Sequence, residues 1–136
     1  MNASANNNEA TNDSTDLRWD PESRVALVCY KPGASLIAAD GVFLVEKLQD
    51  WIGASGRPFA VLADGAGLRG TSAEYRALAA GFFRQHRDAA HIALIHLGPV
   101  IHVVVEMFRI GTGVQLKSFA DEVAARSWLR KKGIAA

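Results

Sequence analysis

The chain is 136 residues long, with 49% hydrophobic residues and a formal net charge of +1. That length fits one domain, and that apolar content can build a core without metals or disulfides. A single cysteine, Cys29, excludes an internal disulfide. Because Cys29 follows Val28 in an apolar run, we expect a buried structural thiol and a reducing, cytoplasmic setting.

The charge distribution argues against nucleic acid as a partner. Residues 1–23 hold five acids and one base, and the bases that follow are scattered until residues 126–132. Basic residues at a helix C-terminus are explained by the macrodipole, whereas nucleic-acid binding needs a clustered basic face with stacking aromatics.

The first residues have the composition of a disordered tail. Residues 1–16 are rich in Asn, Ser, Thr and Ala and contain neither a basic region nor an apolar stretch. We therefore expect neither a signal peptide nor a membrane anchor in this segment. We predict a disordered tail over residues 1–16 and one domain over residues 17–136.

Apolar periodicity then alternates between strand and helix. The predicted strands are Leu17–Asp20 at an edge, Arg24–Tyr30, Phe59–Ala63, Ile92–Leu97 and Val114–Phe119. The predicted helices begin at Asp40, which we interpret as an N-cap, near Thr71, at Val100 and at Asp121. This order predicts an α/β fold with a mixed, mostly parallel sheet of four or five strands and four helices.

The segment Val100–Ile110 is ambiguous, because its β-branched residues suit a strand and its apolar spacing suits a helix. We interpret it as a helix, since Pro99 fits a first helical position and the chain otherwise alternates strand with helix. Its inward stripe would contain Val100, Ile101, Val104, Met107 and Phe108. The apolar residues left over are Val103, Val105 and Ile110. A second copy of the chain, another protein, a lipid, or neighbouring parts of the chain would cover them, and we favour a homodimer.

The stretch after the third predicted strand is the strongest candidate for a site. It runs from Asp64 through Gly65, Gly67 and Gly70 to Thr71. Open α/β sheets bind ligands at this carboxyl edge. Thr71 and Glu74 have the spacing of a capping box, which leaves the N–H groups of the helix start able to receive an anion.

The three glycines match a dinucleotide fingerprint, but the helix cap follows the third glycine and no acid follows the next strand. We interpret them as turn glycines with positive φ and Asp64 as a loop-capping residue. The histidines at 86, 91, 96 and 102 lack metal-ligand spacing, so no metal or other cofactor is expected. His96 lies near the same sheet edge as Asp64 and is a candidate to line the same crevice.

Several local features resemble the STAS domain of the bacterial anti-sigma-factor antagonists, in the branch called sporulation antagonist-like or STAS/SEC14. They are the strand Val25–Tyr30, the helix Asp40–Ile52, Asp64 at the end of the central strand, the helix start Ala73–Arg76, the strand His91–Leu97, and Phe119 followed by Glu122–Leu129. The resemblance covers about residues 17–132. It implies a non-catalytic regulatory domain that binds a protein partner, with a phosphorylated serine near the helix start. Here that position offers Thr71 and Ser72, although the usual Asp-Ser-Ser-Gly-like pattern is absent.

We therefore predict a regulatory protein-interaction module rather than an enzyme, because no catalytic constellation can be assembled. Its contact surface would be the loop 64–72 and the following helix. The predicted binding residues are Asp64, Gly65, Gly67, Arg69, Thr71, Ser72 and Tyr75, with Ser72 or Thr71 as phosphoacceptor. The alternative is a carrier of a lipid or small apolar ligand under the 98–110 helix. Its pocket would contain Tyr75, Phe82, Phe83, Met107 and Phe108.

Overall fold

The computed structural model describes residues 8–136, which contain eight strands and four helices. The strands are β1 (Glu9–Thr11), β2 (Thr15–Asp20), β3 (Val25–Tyr30), β4 (Ala34–Leu36), β5 (Phe59–Asp64), β6 (Leu68–Thr71), β7 (Ala90–Ile95) and β8 (Gln115–Phe119). The helices are α1 (Ala38–Ile52), α2 (Ala73–Gln85), α3 (Pro99–Thr112) and α4 (Glu122–Lys131). The ambiguous segment is therefore a helix, and Pro99 is in its first turn as predicted.

The main sheet has six strands in the order β1-β2-β3-β5-β7-β8. The first three pair antiparallel, whereas β3, β5, β7 and β8 are parallel neighbours joined through helices. The predicted α/β class is confirmed. The sheet is wider than the four or five strands expected, because β1 adds an edge strand. A separate pair, β4 and β6, was not predicted.

The N-terminal residues form a hairpin where a tail is predicted. Ala10 of β1 lies opposite Leu17 of β2, so the tail assigned to residues 1–16 is wrong for residues 9–16. Residues 1–7 of that tail lie outside the described residues. In β2 the side chains alternate between buried and exposed, which is the period of a strand with one covered face. Leu17 and Trp19 carry this pattern within the predicted edge strand, whereas the polar residues before them gave no apolar signal for the hairpin.

Asp40 connects the hairpin to the first helix. Its carboxylate accepts hydrogen bonds from Asn12 Nδ2 at 3.0 Å, from the Ser14 hydroxyl, and from the backbone N–H of Ile37 at 2.9 Å. Burial raises the pKa of Asp40, but these hydrogen bonds outweigh burial and hold the pKa below its ordinary value. Asp40 is therefore the third residue of α1 and not its N-cap, because the helix begins at Ala38 after Ile37.

Side chains of the main sheet separate into two cores. We call the side packed by α1, α2 and α3 the cavity face; on β5 it carries Phe59, Val61 and Ala63. We call the other side the α4 face; on β5 it carries Ala60 and Leu62, which pack with Ala125 and Leu129 of α4. The run Phe59–Ala63 is apolar without alternation because both of its sides are covered.

The orientation of α3 differs from the predicted one. Only Ile101 and Thr112 are buried, and Val104, Val105 and Phe108 are half-buried against the sheet side. Val100 and Met107 were assigned inward, but they are 76% and 70% exposed. The outer face of α3 thus consists of Val100, Val103, Met107 and Ile110. Apolar residues occupy most of the helix circumference, so spacing alone could not select the inward side.

Candidate functional site

A cavity of about 120 Å³ lies between the cavity face and the helices α2 and α3. Its sheet side includes Val28, Val61, Ala63, Ile92, Leu94 and Leu116. Its helix side includes Tyr75, Ala79, Phe83, Ile101, Val104, Val105 and Phe108. The wall is thus almost entirely hydrocarbon, which is typical of sites that hold apolar molecules.

The space arises where small side chains face a helix that is only partly buried. Ala63 at the end of β5, Gly65 after it and Ala79 of α2 all line the cavity. The half-buried inner residues of α3 do not extend far enough to fill the volume that these small residues leave. Left empty, a cavity of this size costs up to about 3 kcal/mol, at about 24 cal/mol per Å³.

Two tyrosines form a polar contact at the cavity wall. The side chains of Tyr30 and Tyr75 interact through a hydrogen bond, and both residues line the cavity. Burial raises the pKa of Tyr30 to about 12, and burial also raises the pKa of Tyr75 well above its ordinary value. Both hydroxyls are therefore neutral at physiological pH, so these residues contribute dipoles and no charge.

Arg76 and Thr71 mark the solvent end of the cavity, where the lining residues are half-buried. The Arg76 guanidinium donates through Nη1 to the carbonyl oxygen of Thr71 at 2.6 Å and to Thr71 Oγ1 at 3.0 Å. These bonds tie the guanidinium to Thr71, five residues earlier in the sequence, and hold it over the start of α2. Arg76 is charged, whereas the other residues that line the cavity are uncharged.

The predicted polar loop contains β6, which pairs parallel with β4 and leads directly into α2. The N-cap of α2 is Ser72, whose hydroxyl accepts from the backbone N–H of Tyr75 at 3.1 Å. The N-cap therefore lies one residue later than predicted, and the predicted capping box from Thr71 to Glu74 does not form. Thr71 is instead the last residue of β6, and its side chain is bonded to Arg76.

Gly65 and Gly67 are required because neighbouring atoms lie where a Cβ atom would be, and not because their φ angles are positive. A Cβ atom on Gly67 would lie 2.5 Å from the carbonyl oxygen of Tyr30, and one on Gly65 would lie 2.8 Å from a methyl carbon of Leu97. Neither residue has positive φ, and neither does Gly70, so our interpretation of these glycines is wrong. A side chain at position 67 would separate the loop from the end of β3.

A second polar group lies on the opposite side of the sheet. His96 Nδ1 is 3.0 Å from Asp64 Oδ1, and the same oxygen accepts from the backbone N–H of Ala66 at 3.0 Å, which makes Asp64 the loop cap that was predicted. His96 has a φ of 57°, which is uncommon for a residue with a side chain. On the neighbouring strand Cys29 pairs with Asp64. Cys29 is exposed, so the prediction of a buried thiol is wrong.

The Cys29 thiol is not activated by these neighbours. Partial burial raises its pKa, and the negative charges of Asp64 and Asp16 raise it further. A thiol nucleophile needs the opposite environment, in which cations lower the pKa. Within residues 8–136 no three His, Cys, Asp or Glu side chains are grouped closely enough to hold a metal ion. The described helices are also too short or too polar to cross a membrane.

Three solved structures share this arrangement of strands and helices. A DUF3478-family protein from Shewanella loihica, described as having a SpoIIAA-like fold, aligns with a TM-score of 0.66 and 17% identity over 88% of this chain and 98% of that chain. A candidate anti-sigma factor antagonist from Thermotoga maritima aligns with a TM-score of 0.57 and 8% identity over 84% and 92% of the two chains. The chain has a STAS-like fold.

The third structure is murine Solute Carrier 26 family member A9, an anion transporter. It aligns with a TM-score of 0.58 and 15% identity over 90% of this chain but only 22% of the transporter. The STAS-like fold is therefore found both in small proteins and within a much larger one. No family model and no curated protein matches the sequence.

The STAS-like fold divides the predicted binding residues between different surfaces. Gly65, Thr71 and Tyr75 line the cavity, whereas the Asp64 carboxylate contacts the His96 imidazole on the α4 face. Arg69 is exposed on β6. Of the predicted pocket residues, Phe83 and Phe108 line the cavity, and their rings meet edge to face at a centroid distance of 6.0 Å.

Two residues predicted for the apolar pocket lie elsewhere. Phe82 is buried beside Phe59 and His86, with ring centroids 6.3 Å and 4.6 Å away. Met107 is on the outer face of α3, where it lines a surface groove between α2 and α3. Phe82 does not line the cavity because α2 directs its ring toward Phe59 and His86, and Met107 does not because α3 is rotated about its axis relative to the predicted orientation.

Sequence reasoning missed Tyr30, Arg76 and Leu97 as cavity residues. Tyr30 continues the inward alternation of Ala26 and Val28, so a strict count along β3 could have found it. Arg76 is a charged residue in the first turn of α2, and no sequence signal indicated that its side chain turns back to Thr71.

Proposed function

We propose that this STAS-like protein is a non-catalytic binding protein that holds a small apolar ligand in the cavity under α3. The observation that carries the proposal is the cavity itself, with its hydrocarbon wall and its half-buried end between β6 and α2. A ligand would restore the dispersion contacts that the empty space lacks, and that gain supplies affinity.

The volume limits the size of the ligand. Engineered protein cavities of about 150 Å³ bind benzene or xenon, so a cavity of about 120 Å³ suits an apolar body of that scale. Longer lipids would require α3 to move outward. The ligand class is therefore a single small ring or a short branched hydrocarbon group.

Native mass spectrometry of protein purified without detergent tests this proposal. We expect a reproducible additional mass on the protomer, and we expect added toluene to bind. Ala63→Leu places a larger side chain in the cavity and should remove both signals. Ala124→Leu makes the same change on the exposed side of α4, away from the cavity, and should leave both intact. Binding that persists in Ala63→Leu would contradict the proposal.

A protein-interaction module is the second candidate function, and it is supported by the surface around β6. Arg69 is exposed there, and Ser72 begins α2 immediately afterwards. The description of the Thermotoga protein as a candidate anti-sigma factor antagonist favours such a role for this fold. A phosphate on Ser72 would place negative charge at a helix N-terminus, where it could order or repel a partner.

Photo-crosslinking tests the module. A photoreactive residue at position 69 should give a specific protein adduct in extracts of the source cells, whereas one at Arg57, in the exposed loop after α1, should not. Ser72→Asp adds charge and keeps an N-cap, and Ser72→Asn keeps the cap without charge. A phosphoswitch predicts that Ser72→Asp loses the adduct and Ser72→Asn keeps it. Loss of the adduct in both variants, or in neither, would contradict a phosphoswitch.

The outer face of α3 is the proposed contact between two copies of the chain. Val100, Val103, Met107 and Ile110 are between 61% and 76% exposed and lie on one side of the helix. Met107→Asp should convert a dimer into a monomer in light scattering without loss of helix content. A monomeric wild-type protein at high concentration would contradict this contact.

A further inference from the structure

We propose that the cavity selects a small organic monocarboxylate: the apolar body occupies the cavity and the carboxylate binds the Arg76 guanidinium. This inference rests on the proposed function, because it names the ligand class of the same cavity. It depends on three observations, which are the unused donors of Arg76, the absence of acids from the cavity wall and the position of Arg76 between the cavity and the outer surface.

Arg76 has donors that the protein does not use. A guanidinium has five N–H donors, and the hydrogen bonds that Arg76 makes within residues 8–136 go through Nη1 to Thr71. The N–H groups on Nε and Nη2 have no partner among the described residues, and no described carboxylate lies within ion-pair distance of the side chain. A half-buried cation paired only with neutral oxygens is incompletely compensated, and a carboxylate is its strongest complement.

The rest of the wall supplies no competing charge. The other cavity residues are apolar except for Thr71 and the two tyrosines, whose hydroxyls are neutral at physiological pH. An anionic ligand would therefore meet one positive charge and no negative charge. An ammonium ligand of the same shape would be repelled by Arg76 and would find no counter-ion.

The position of Arg76 provides an entry route. Arg76, Val104 and Phe108 line both the cavity and the outer groove of about 440 Å³ between α2 and α3. These three side chains therefore form the wall between the two spaces. Arg84 lines the groove but not the cavity. An acid that approached along the groove would contact the guanidinium first, and its apolar body would then reach the cavity beyond.

The size of the cavity and the charge of Arg76 together indicate acids of the benzoate type. A ring of benzene size fits the apolar volume, and a directly attached carboxylate stays at the half-buried end. We expect benzoate to bind about ten times more tightly than toluene, a difference of about 1.4 kcal/mol, which is near the lower end for hydrogen bonds to a charged group.

The test compares benzoate, toluene and benzylamine by nuclear magnetic resonance titration of the full chain at neutral pH. We expect the order benzoate, then toluene, then benzylamine. Arg76→Gln should bring the affinity for benzoate down to that for toluene without changing the affinity for toluene. Arg76→Lys keeps the charge but loses the planar fork, and should retain part of the preference. Arg87→Gln removes an exposed arginine that lines neither the cavity nor the groove, and should leave all three affinities unchanged.

The outcomes separate this inference from the proposed function. Equal binding of benzoate and toluene by the wild type would overturn the monocarboxylate assignment and leave the cavity function in place. A loss of toluene affinity in Arg76→Gln equal to the loss of benzoate affinity would also overturn it, since Arg76 would then act only on the shape of the cavity. If neither compound binds the wild type, the proposed function itself fails. Unchanged helix content in the variants, measured by circular dichroism, keeps each result interpretable.

Discussion

The two faces of the main sheet use the same strands but pack to different completeness. On the α4 face Ala60, Ala93, Ala125 and Leu129 are all 0% exposed, and one helix lies directly on small sheet residues. On the cavity face three helices cover larger side chains, yet about 120 Å³ remains open under α3. The number of covering helices therefore does not determine how tightly a face is packed.

The difference follows from the two covering helices. α4 buries Ala125 and Leu129 completely against small sheet residues, and the charged residues on its other sides hold it in one orientation. α3 is apolar around most of its circumference and buries only Ile101 and Thr112. Because no orientation of α3 is strongly preferred by burial, the helix can leave space beneath it, and that space is the candidate site.

Removing side-chain volume from the tightly packed face should have the largest effect. Leu129→Ala deletes a fully buried side chain at the centre of the α4 face, and we expect it to lower the free energy of unfolding by about 2–5 kcal/mol. Chemical denaturation measures the loss. Val123→Ala, on the same helix but 76% exposed, is the control and should change stability by less than about 0.5 kcal/mol.

Adding volume on the two sides of one strand compares the faces directly. Ala60→Val should destabilise the protein by about 1–3 kcal/mol, because the α4 face has no room for extra methyl groups. Ala63→Val, on the same strand, places those methyl groups in the cavity and should leave stability unchanged or raise it. Denaturation midpoints of the two variants give the comparison. Equal losses would contradict the difference in packing.

Raising the pH above 10 should destabilise the cavity face. This is the smallest of the expected effects, because it is absent at neutral pH. The chain has two tyrosines, and both line the cavity. The pKa of Tyr30 is raised from 10.0 to about 12, so its contribution to stability is fully present below pH 10 and is lost as the pH rises toward 12. Phenolate absorbance should therefore appear late in an alkaline titration.

Tyr30→Phe is the matched variant for that titration, because it keeps the ring and removes the ionisable group. We expect its stability to decline less between pH 10 and pH 12 than that of the wild type. Identical declines would mean that Tyr30 ionises as freely in the folded state as in the unfolded chain.

Much of the fold could be predicted from periodicity and caps. Asp121 begins the last helix as expected and accepts from the backbone N–H of Ala124 at 2.9 Å, and Gly53 ends the first helix. These signals are local. A capping residue forms hydrogen bonds to its own helix, and an apolar stripe depends only on the spacing of residues within one helix. Thr71 and Ser72 are adjacent and either residue type can cap a helix, so the sequence alone did not identify which of them is the N-cap.

Long-range contacts decided the features that were missed. Cys29 lies in an apolar stretch but is exposed, because α4 packs on β7 and β8 and leaves the end of β3 uncovered. Asn12 and Ser14 read as tail residues, yet they bond Asp40, which is more than twenty residues away in the chain. Composition cannot report such partners, since their polar groups are satisfied by side chains distant in sequence.

The sequence by itself determined the α/β order, the four helices and the position of the loop after β5, because each depends on local periodicity and turn chemistry. Only the tertiary structure decided that the site is a cavity, that Tyr30 and Arg76 belong to it, and that Met107 faces outward. The physical reason is that a cavity is volume left between elements. That volume depends on the rotation and depth of α3 against the sheet, which no single segment encodes.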